Sequence, residues 1–89
     1  MASFTINKIS LSLDAIGEEL KAARENLKIS LEKVQEKTGI NQEYLAAMEN
    51  GRLEKLPSGV YKKNFLREYA LFLNLDAENL IKIYEKETG

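Results

Sequence analysis

The stretch from Ser30 to Gly51, SLEKVQEKTGINQEYLAAMENG, constrains the fold more than any other part of the sequence. Ser30 is a good N-cap, because its hydroxyl can accept a backbone N–H from the first turn of a helix. Leu31 and Val34 then lie three residues apart, on one face of that helix. Gly39 follows, and a glycine can adopt the left-handed conformation that ends a helix. This half of the stretch predicts a short helix over 31–38.

The second half of the stretch predicts another short helix directly after a tight corner. Ile40 is apolar and lies at the corner, where we expect it to be buried. Asn41 can cap the second helix, in which Leu45 and Met48 share one face. Gly51 is placed to end it. Two short helices joined by a glycine turn, the second capped and then terminated, have the layout of a helix-turn-helix.

The composition excludes several classes of function. The 89 residues include no cysteine and no histidine, so the sequence has no thiolate metal ligand and lacks the commonest general base. No glycine-rich loop is placed to hold a phosphate. No apolar run approaches the roughly 20 residues that cross a bilayer. We expect one non-enzymatic, cytoplasmic domain with no cofactor, no metal and no membrane contact within these residues.

The charge balance bears on nucleic-acid binding. The chain has 13 basic and 14 acidic residues, a net charge of −1. Residues 1–57 hold eight basic and nine acidic side chains, and residues 58–89 hold five of each. Proteins that bind DNA usually carry a basic face, because contacts to phosphates supply most of their affinity. The charge distribution therefore argues against tight DNA binding.

The N-terminal segment 1–11 has the least regular pattern. Phe4 and Ile6 alternate, as do Ile9 and Leu11, but the phase breaks between the two pairs. The segment is compatible with a short strand, with an ordered arm packed on the domain, or with a frayed terminus. We treat it as an N-terminal arm that precedes the helical domain.

The periodicity of apolar residues predicts three further helices. Before the helix-turn-helix stretch, steps of three and four residues form a stripe that Leu27 continues: Leu13, Ile16, Leu20 and Ala23. Near the end of the chain, Asn74 is placed as a left-handed cap and Asp76 as the N-cap of the last helix. The sequence predicts an all-α domain over 12–89, with helices at about 13–26, 31–38, 42–50, 58–73 and 77–86.

The fourth predicted helix has a wider apolar surface than one neighbouring helix can bury. At 100° per residue, one apolar face is formed by Leu66, Tyr69, Ala70 and Leu73. A second strip, roughly 100–140° from the centre of that face, is formed by Tyr61, Phe65 and Phe72. Either the last helix or the N-terminal arm covers this strip, or a partner does. If a partner covers it, Tyr61 and Phe65 should be more exposed than the first face.

Four motifs between Ile16 and Tyr84 point to a family: IGEEL, SLEKV, YLAAMENG and LPSGVYKKNFLREYALFLNLD. The last one discriminates, since ordinary phage-repressor domains share the first three helices but not the V-Y-x-x-x-F-L-R-x-Y-A pattern. In these motifs the sequence resembles the Cro/C1-type helix-turn-helix domains at the cytoplasmic N-terminus of RodZ proteins, bacterial cell-shape proteins that link the actin-like MreB to the membrane. The resemblance implies a five-helix Cro/C1-type fold with a short N-terminal extension.

The resemblance also implies a protein-binding surface on the fourth helix. Two aromatic positions that contact MreB in the RodZ family match Tyr61 and Phe65. The predicted surface consists of Tyr61, Lys62, Phe65 and Phe72, with Lys63 and Arg67 as further basic residues that would suit an acidic partner. RodZ proteins continue into a membrane-spanning helix. We therefore expect either the cytoplasmic domain of an inner-membrane protein or a stand-alone relative.

The alternative function is DNA binding by a transcriptional regulator. In repressors of this superfamily the second helix of the motif enters the major groove. The matching positions here are Asn41, Gln42, Glu43, Ala46 and Ala47. A glutamine can read adenine, whereas a glutamate brings negative charge to the duplex and alanines read almost nothing. These features favour a protein partner over DNA.

Overall fold

The structure is a computed structural model that describes residues 8–57 and 60–88. Within these residues it contains five α-helices and no strand, which confirms the predicted all-α fold. The helices are α1 (Lys8–Asn26), α2 (Leu31–Thr38), α3 (Gln42–Glu49), α4 (Val60–Phe72) and α5 (Ala77–Thr88), with a short 3-10 turn at Leu53–Lys55 between α3 and α4. No helix in this part of the chain is both long and apolar enough to cross a membrane.

The first helix begins earlier than the sequence pattern predicts. Because α1 starts at Lys8, residues 8–11 are helical and belong neither to a strand nor to a separate arm. The predicted start at about residue 13 lies beside Ser12 and Asp14, two residue types that can cap a helix. No glycine or proline occurs between residues 8 and 16, so the helix continues through both of them. Phe4 and Ile6 of the predicted arm lie outside the described residues, as do Ser58 and Gly59 of the predicted fourth helix.

The end of α1 also corrects a prediction. Leu27, expected to continue the buried stripe, is 55% exposed. The helix ends at Asn26, and Lys28 adopts a left-handed conformation with φ 56°. Leu27 therefore lies in the turn and leaves the face that Ile16 and Leu20 bury.

The helix-turn-helix corner has the predicted local chemistry. The Ser30 hydroxyl accepts the Lys33 N–H at 3.1 Å, and the Asn41 side chain accepts the Glu43 N–H at 2.7 Å. Gly39 is left-handed with φ 79°, and its N–H donates to the Gln35 carbonyl. Ile40 is buried at the corner. Each cap satisfies a backbone group that the end of a helix leaves unpaired.

The core is a single cluster to which all five helices contribute. Its largest fully buried side chains are Ile16, Leu20, Val34, Leu45, Met48, Leu66, Tyr69 and Leu80. The helix α1 packs against both α3 and α5, and α4 packs mainly against α5. Asn74 has φ 64°, and the Asp76 carboxylate accepts the Asn79 N–H at 3.1 Å, so both predicted caps between α4 and α5 are present.

Candidate functional site

The second apolar strip of α4, which we call the α4 strip, consists of Tyr61, Phe65 and Phe72. Tyr61 is 58% exposed, whereas Phe65 and Phe72 are half-buried. Leu66 and Tyr69, on the first face, are fully buried. This order of exposure is the one expected if the strip faces a partner. Lys62 is half-buried and lies 100° further round the helix than Tyr61.

The inner part of the α4 strip is covered by α3. The rings of Tyr44 and Phe65 lie 5.4 Å apart between centroids and are tilted by 43°. The sequence analysis named the last helix or the N-terminal arm as the elements that could cover the strip internally. Tyr44 belongs to neither, because it lies on α3. Aromatic pairs at this distance contribute about 0.5–1.5 kcal/mol beyond the burial of their area. The contact therefore fixes Phe65 and leaves Tyr61 as the accessible ring.

The surface of α4 carries more exposed apolar side chains than the sequence analysis predicted. Four large apolar side chains are exposed in the described part of the chain, and three of them are on α4: Val60, Tyr61 and Leu71. Val60 and Leu71 are 68% and 61% exposed. They are eleven residues apart, which places them about 20° apart around the helix. The periodicity that identified the α4 strip could have identified this pair.

Two basic residues expected to surround an acidic partner are already paired with α5. Lys63 Nζ lies 2.7 Å from Glu85, and Arg67 Nε lies 3.0 Å from Glu78. The hydrogen bond from Lys63 lowers the pKa of Glu85. Exposed pairs of this kind contribute little to stability. Each pair places a carboxylate beside a cation. The positive charge around the α4 strip is therefore weaker than the sequence predicts.

The residues predicted to read DNA divide into two groups. Asn41, Gln42 and Glu43 are exposed at the start of α3, and the side-chain oxygen of Asn41 is occupied by the cap. Ala46 is half-buried and Ala47 is buried. Residues 31–55, which span the two helices and the following turn, contain four basic and five acidic residues. One of the acidic residues, Glu49, is buried, so four basic and four acidic side chains are exposed. The exposed surface therefore has no excess of positive charge for a duplex.

The structure brings three of these residues together with three that sequence reasoning missed. Glu43, Ala46 and Ala47 line a concave region of about 480 Å³, which we call the α3 cleft, together with Asn50, Arg52 and Lys55. Arg52 and Lys55 lie at a spacing of three that alternates with the buried Leu53 and Leu56. That alternation was a signal in the sequence that the two cations share one side of the turn.

A buried ionic network joins α1, α3 and α4. Arg24 donates two hydrogen bonds to the Glu49 carboxylate, at 2.7 Å from Nε and 3.0 Å from Nη2. The Tyr69 hydroxyl donates to the same carboxylate at 2.5 Å. Arg24 Nη1 also donates to the Ile29 carbonyl at 2.9 Å, so the turn after α1 is included. Two parallel bonds between a guanidinium and a carboxylate fix orientation as well as distance.

The environment of this network shifts two pKa values. The hydrogen bond to Glu49 raises the pKa of Arg24. Burial, followed by the hydrogen bond to Glu49, raises the pKa of Tyr69 well above its ordinary value of 10.0. Arg24 lies in the last turn of α1, where a basic side chain is ordinarily a solvated charge that favours the helix dipole. The position of Glu49 could have indicated a buried carboxylate, because it follows Leu45 by four residues and so lies on the core-facing side of α3.

The described residues hold no group of three or more aspartate or glutamate side chains that could bind a metal ion.

The comparisons with known proteins assign the same fold as the structure does. A family model described as "Helix-turn-helix domain" matches residues 19–80, more than half of the chain. The chain belongs to this helix-turn-helix family. It is a RodZ-like member, as its relatives show.

Two curated relatives and one solved structure are similar to this RodZ-like domain. It is 38% identical over 76 residues to the cytoskeleton protein RodZ of Streptococcus pneumoniae (strain ATCC BAA-255 / R6), covering 85% of the chain and 28% of that protein. It is 34% identical over 59 residues to the uncharacterized membrane protein YmfM of Bacillus subtilis (strain 168), covering 66% of the chain and 20% of that protein.

The solved structure is that of YmfM from Staphylococcus aureus, described as a candidate DNA-binding membrane protein. It superposes with a TM-score of 0.73 at 36% identity, covering 81% of the RodZ-like domain and 88% of that chain. The domain thus spans less than a third of either curated relative. No catalytic family is indicated by these comparisons.

Proposed function

We propose that this RodZ-like domain is a non-enzymatic docking module that binds an MreB-type bacterial actin, or another protein, through the α4 strip. The observation that carries the proposal is the exposure of Tyr61, an aromatic ring left in solvent beside the half-buried Phe65. Exposed aromatic rings next to charged side chains are typical anchors of protein interfaces. The domain would act on the cytoplasmic side of a membrane, since the two YmfM relatives are described as membrane proteins and the RodZ relative as a cytoskeleton protein.

The α4 strip has one ring that could anchor a partner, Tyr61, with apolar side chains around it. Phe65 is held against Tyr44, so the conformational entropy lost on binding is small for this part of the surface. Val60 and Leu71 add exposed apolar area on the neighbouring side of α4. Since Lys63 and Arg67 are paired with α5, apolar burial rather than charge would supply most of the affinity.

The test is the affinity of the purified chain for a purified MreB-type actin, measured for the wild type and for Tyr61→Ala. Truncating a hot-spot residue removes 2 kcal/mol or more of binding free energy, so we expect binding to weaken by about 30-fold or more. Leu27→Ala is the matched control, because Leu27 is exposed to nearly the same extent but lies in the turn after α1. Equal affinities for the wild type and Tyr61→Ala would refute docking through the α4 strip.

DNA binding through α3 is the second candidate function. It is favoured by the similarity to the Staphylococcus aureus YmfM structure, described as a candidate DNA-binding protein, and by the exposure of Gln42 at the start of α3. Titration of a short DNA duplex into the isotope-labelled domain tests it. Chemical shift changes on residues 41–47 that weaken steeply with salt and vanish in Gln42→Ala would support this function. An absence of changes at low salt would exclude it.

A further inference from the structure

The α3 cleft is a second candidate binding site, and it shares no residue with the α4 strip. One wall is α3 itself. Glu43, Ala46, Ala47 and Asn50 recur at spacings of three and four, so they occupy one face of the helix. Two of these lining residues are alanines, whose small side chains contribute to an open volume of about 480 Å³. A larger side chain at the half-buried Ala46 would occupy part of this space.

The other lining residues are two cations, which lie in the 3-10 turn and directly before it. Side chains three residues apart are eclipsed in a 3-10 helix, because it has three residues per turn. Leu53 and Leu56 are buried on one side of the turn, and Arg52 and Lys55 are exposed and line the cleft. The Arg52 N–H donates to the Ala47 carbonyl at 2.8 Å, which fixes the turn against α3.

The charges of the cleft differ from those of the chain as a whole. Two cations and one carboxylate, Glu43, line the cleft, although the protein has a net charge of −1. The four ion pairs found among the described residues do not include Arg52 or Lys55. Both cations are therefore available to a negatively charged group that enters the cleft.

We propose that the α3 cleft binds an acidic segment of a protein partner. A carboxylate of that segment would lie between Arg52 and Lys55, and an adjacent apolar side chain would pack on Ala46 and Ala47. Charge-assisted bonds to one carboxylate need only the two cations present. A DNA duplex would need contacts to several phosphates, and the carboxylate of Glu43, which lines the cleft, would repel them. A protein segment fits the chemistry of the cleft better than a nucleic acid.

The experiment titrates three probes into the ¹⁵N-labelled chain. They are the peptide acetyl-Glu-Leu-Glu-Leu-Glu-amide, its counterpart with lysine in place of each glutamate, and a short DNA duplex. We expect only the acidic peptide to cause saturable shift changes at Ala46, Asn50, Arg52 and Lys55. Ala46→Leu, which puts a larger side chain into the lining of the cleft, should abolish these changes while leaving the remaining spectrum intact.

A charge-reversal pair separates specific contact from general attraction. Arg52→Glu combined with Lys55→Glu should weaken the acidic peptide by about tenfold or more, since two charge contacts are lost. Lys82→Glu combined with Lys86→Glu makes the same change in net charge on exposed positions of α5 and should have little effect. Similar weakening by both pairs would overturn the proposal.

Two other results would also overturn the proposal: no saturable change with the acidic peptide, or changes at the cleft with the duplex alone. The latter would assign the cleft to nucleic acid. Tyr61→Ala should leave the affinity for the acidic peptide unchanged, because Tyr61 does not line the cleft. Failure of this inference is therefore distinguishable from failure of docking through the α4 strip.

Discussion

The crossing of α1 and α3 depends on the missing side chain of Gly17. A Cβ atom added there would lie 2.3 Å from the Glu49 carbonyl oxygen and 2.9 Å from the Met48 carbonyl oxygen. Ordinary van der Waals contact begins at 3.4 Å, so α1 and α3 would have to separate by about 1 Å. The contacted atoms belong to the backbone of α3, so no side-chain rotation relieves the clash.

The effect of Gly17→Ala on the free energy of unfolding is the cost of the clash minus the gain in helix propensity. Overpacking a core costs about 1–3 kcal/mol, and a backbone clash that also strains the Arg24–Glu49 bonds belongs at the upper end. Replacing glycine by alanine inside a helix recovers about 1 kcal/mol. We expect the free energy of unfolding to fall by about 2 kcal/mol, which lowers the melting temperature by about 8–16 °C in a domain of this size.

Urea denaturation followed by circular dichroism measures this change, provided that unfolding is two-state. Ala22→Gly is the control, because Ala22 is exposed on the same helix and the reverse substitution there tests propensity alone. That control should lose about 1 kcal/mol. If Gly17→Ala left the stability unchanged or raised it, the proposed close approach of the two helices would be wrong.

The buried ionic network gives two further predictions. Glu49→Ala leaves Arg24 and the Tyr69 hydroxyl without their acceptor, so it should cost about 3–5 kcal/mol in urea unfolding, whereas Tyr69→Phe removes one hydroxyl and should cost about 1–3 kcal/mol. If both variants lost equally little free energy of unfolding, the Glu49 carboxylate would not be needed for stability. Because the pKa of Tyr69 is raised in the folded protein, the unfolded chain releases this proton first. The free energy of unfolding should therefore fall above pH 10, by at most about 1.4 kcal/mol per pH unit, and the Tyr69→Phe variant should lack this contribution.

Local chemistry could be predicted from the sequence because its causes lie within a few residues. The caps at Ser30, Gly39, Asn41 and Asn74 each depend on one residue type next to an apolar repeat. The start of α1 was wrong for the same reason. Serine and aspartate can cap a helix, but they can also lie inside one when nothing nearby ends it.

Contacts between distant residues could not be predicted in this way. Arg24 and Glu49 are 25 residues apart, and in its own helix each looks like an ordinary surface charge. They meet because α1 and α3 cross closely, with Gly17 against the backbone of Glu49. Tyr44 and Phe65 likewise meet across α3 and α4, so the cover of the α4 strip could not be assigned from periodicity. Side-chain spacing predicts which face is apolar, but not which helix covers it.

The buried network and the two candidate surfaces can be tested separately, because they use different side chains of the same helices. On α4, Tyr69 faces the core and Tyr61 faces solvent. On α3, Glu49 is buried and Glu43 is exposed. Removing Tyr61 therefore removes a contact surface without opening a cavity, so a loss of binding would report on the interface. Removing Glu49 would disturb the packing of both helices, and lost binding in that variant would carry no information about either surface.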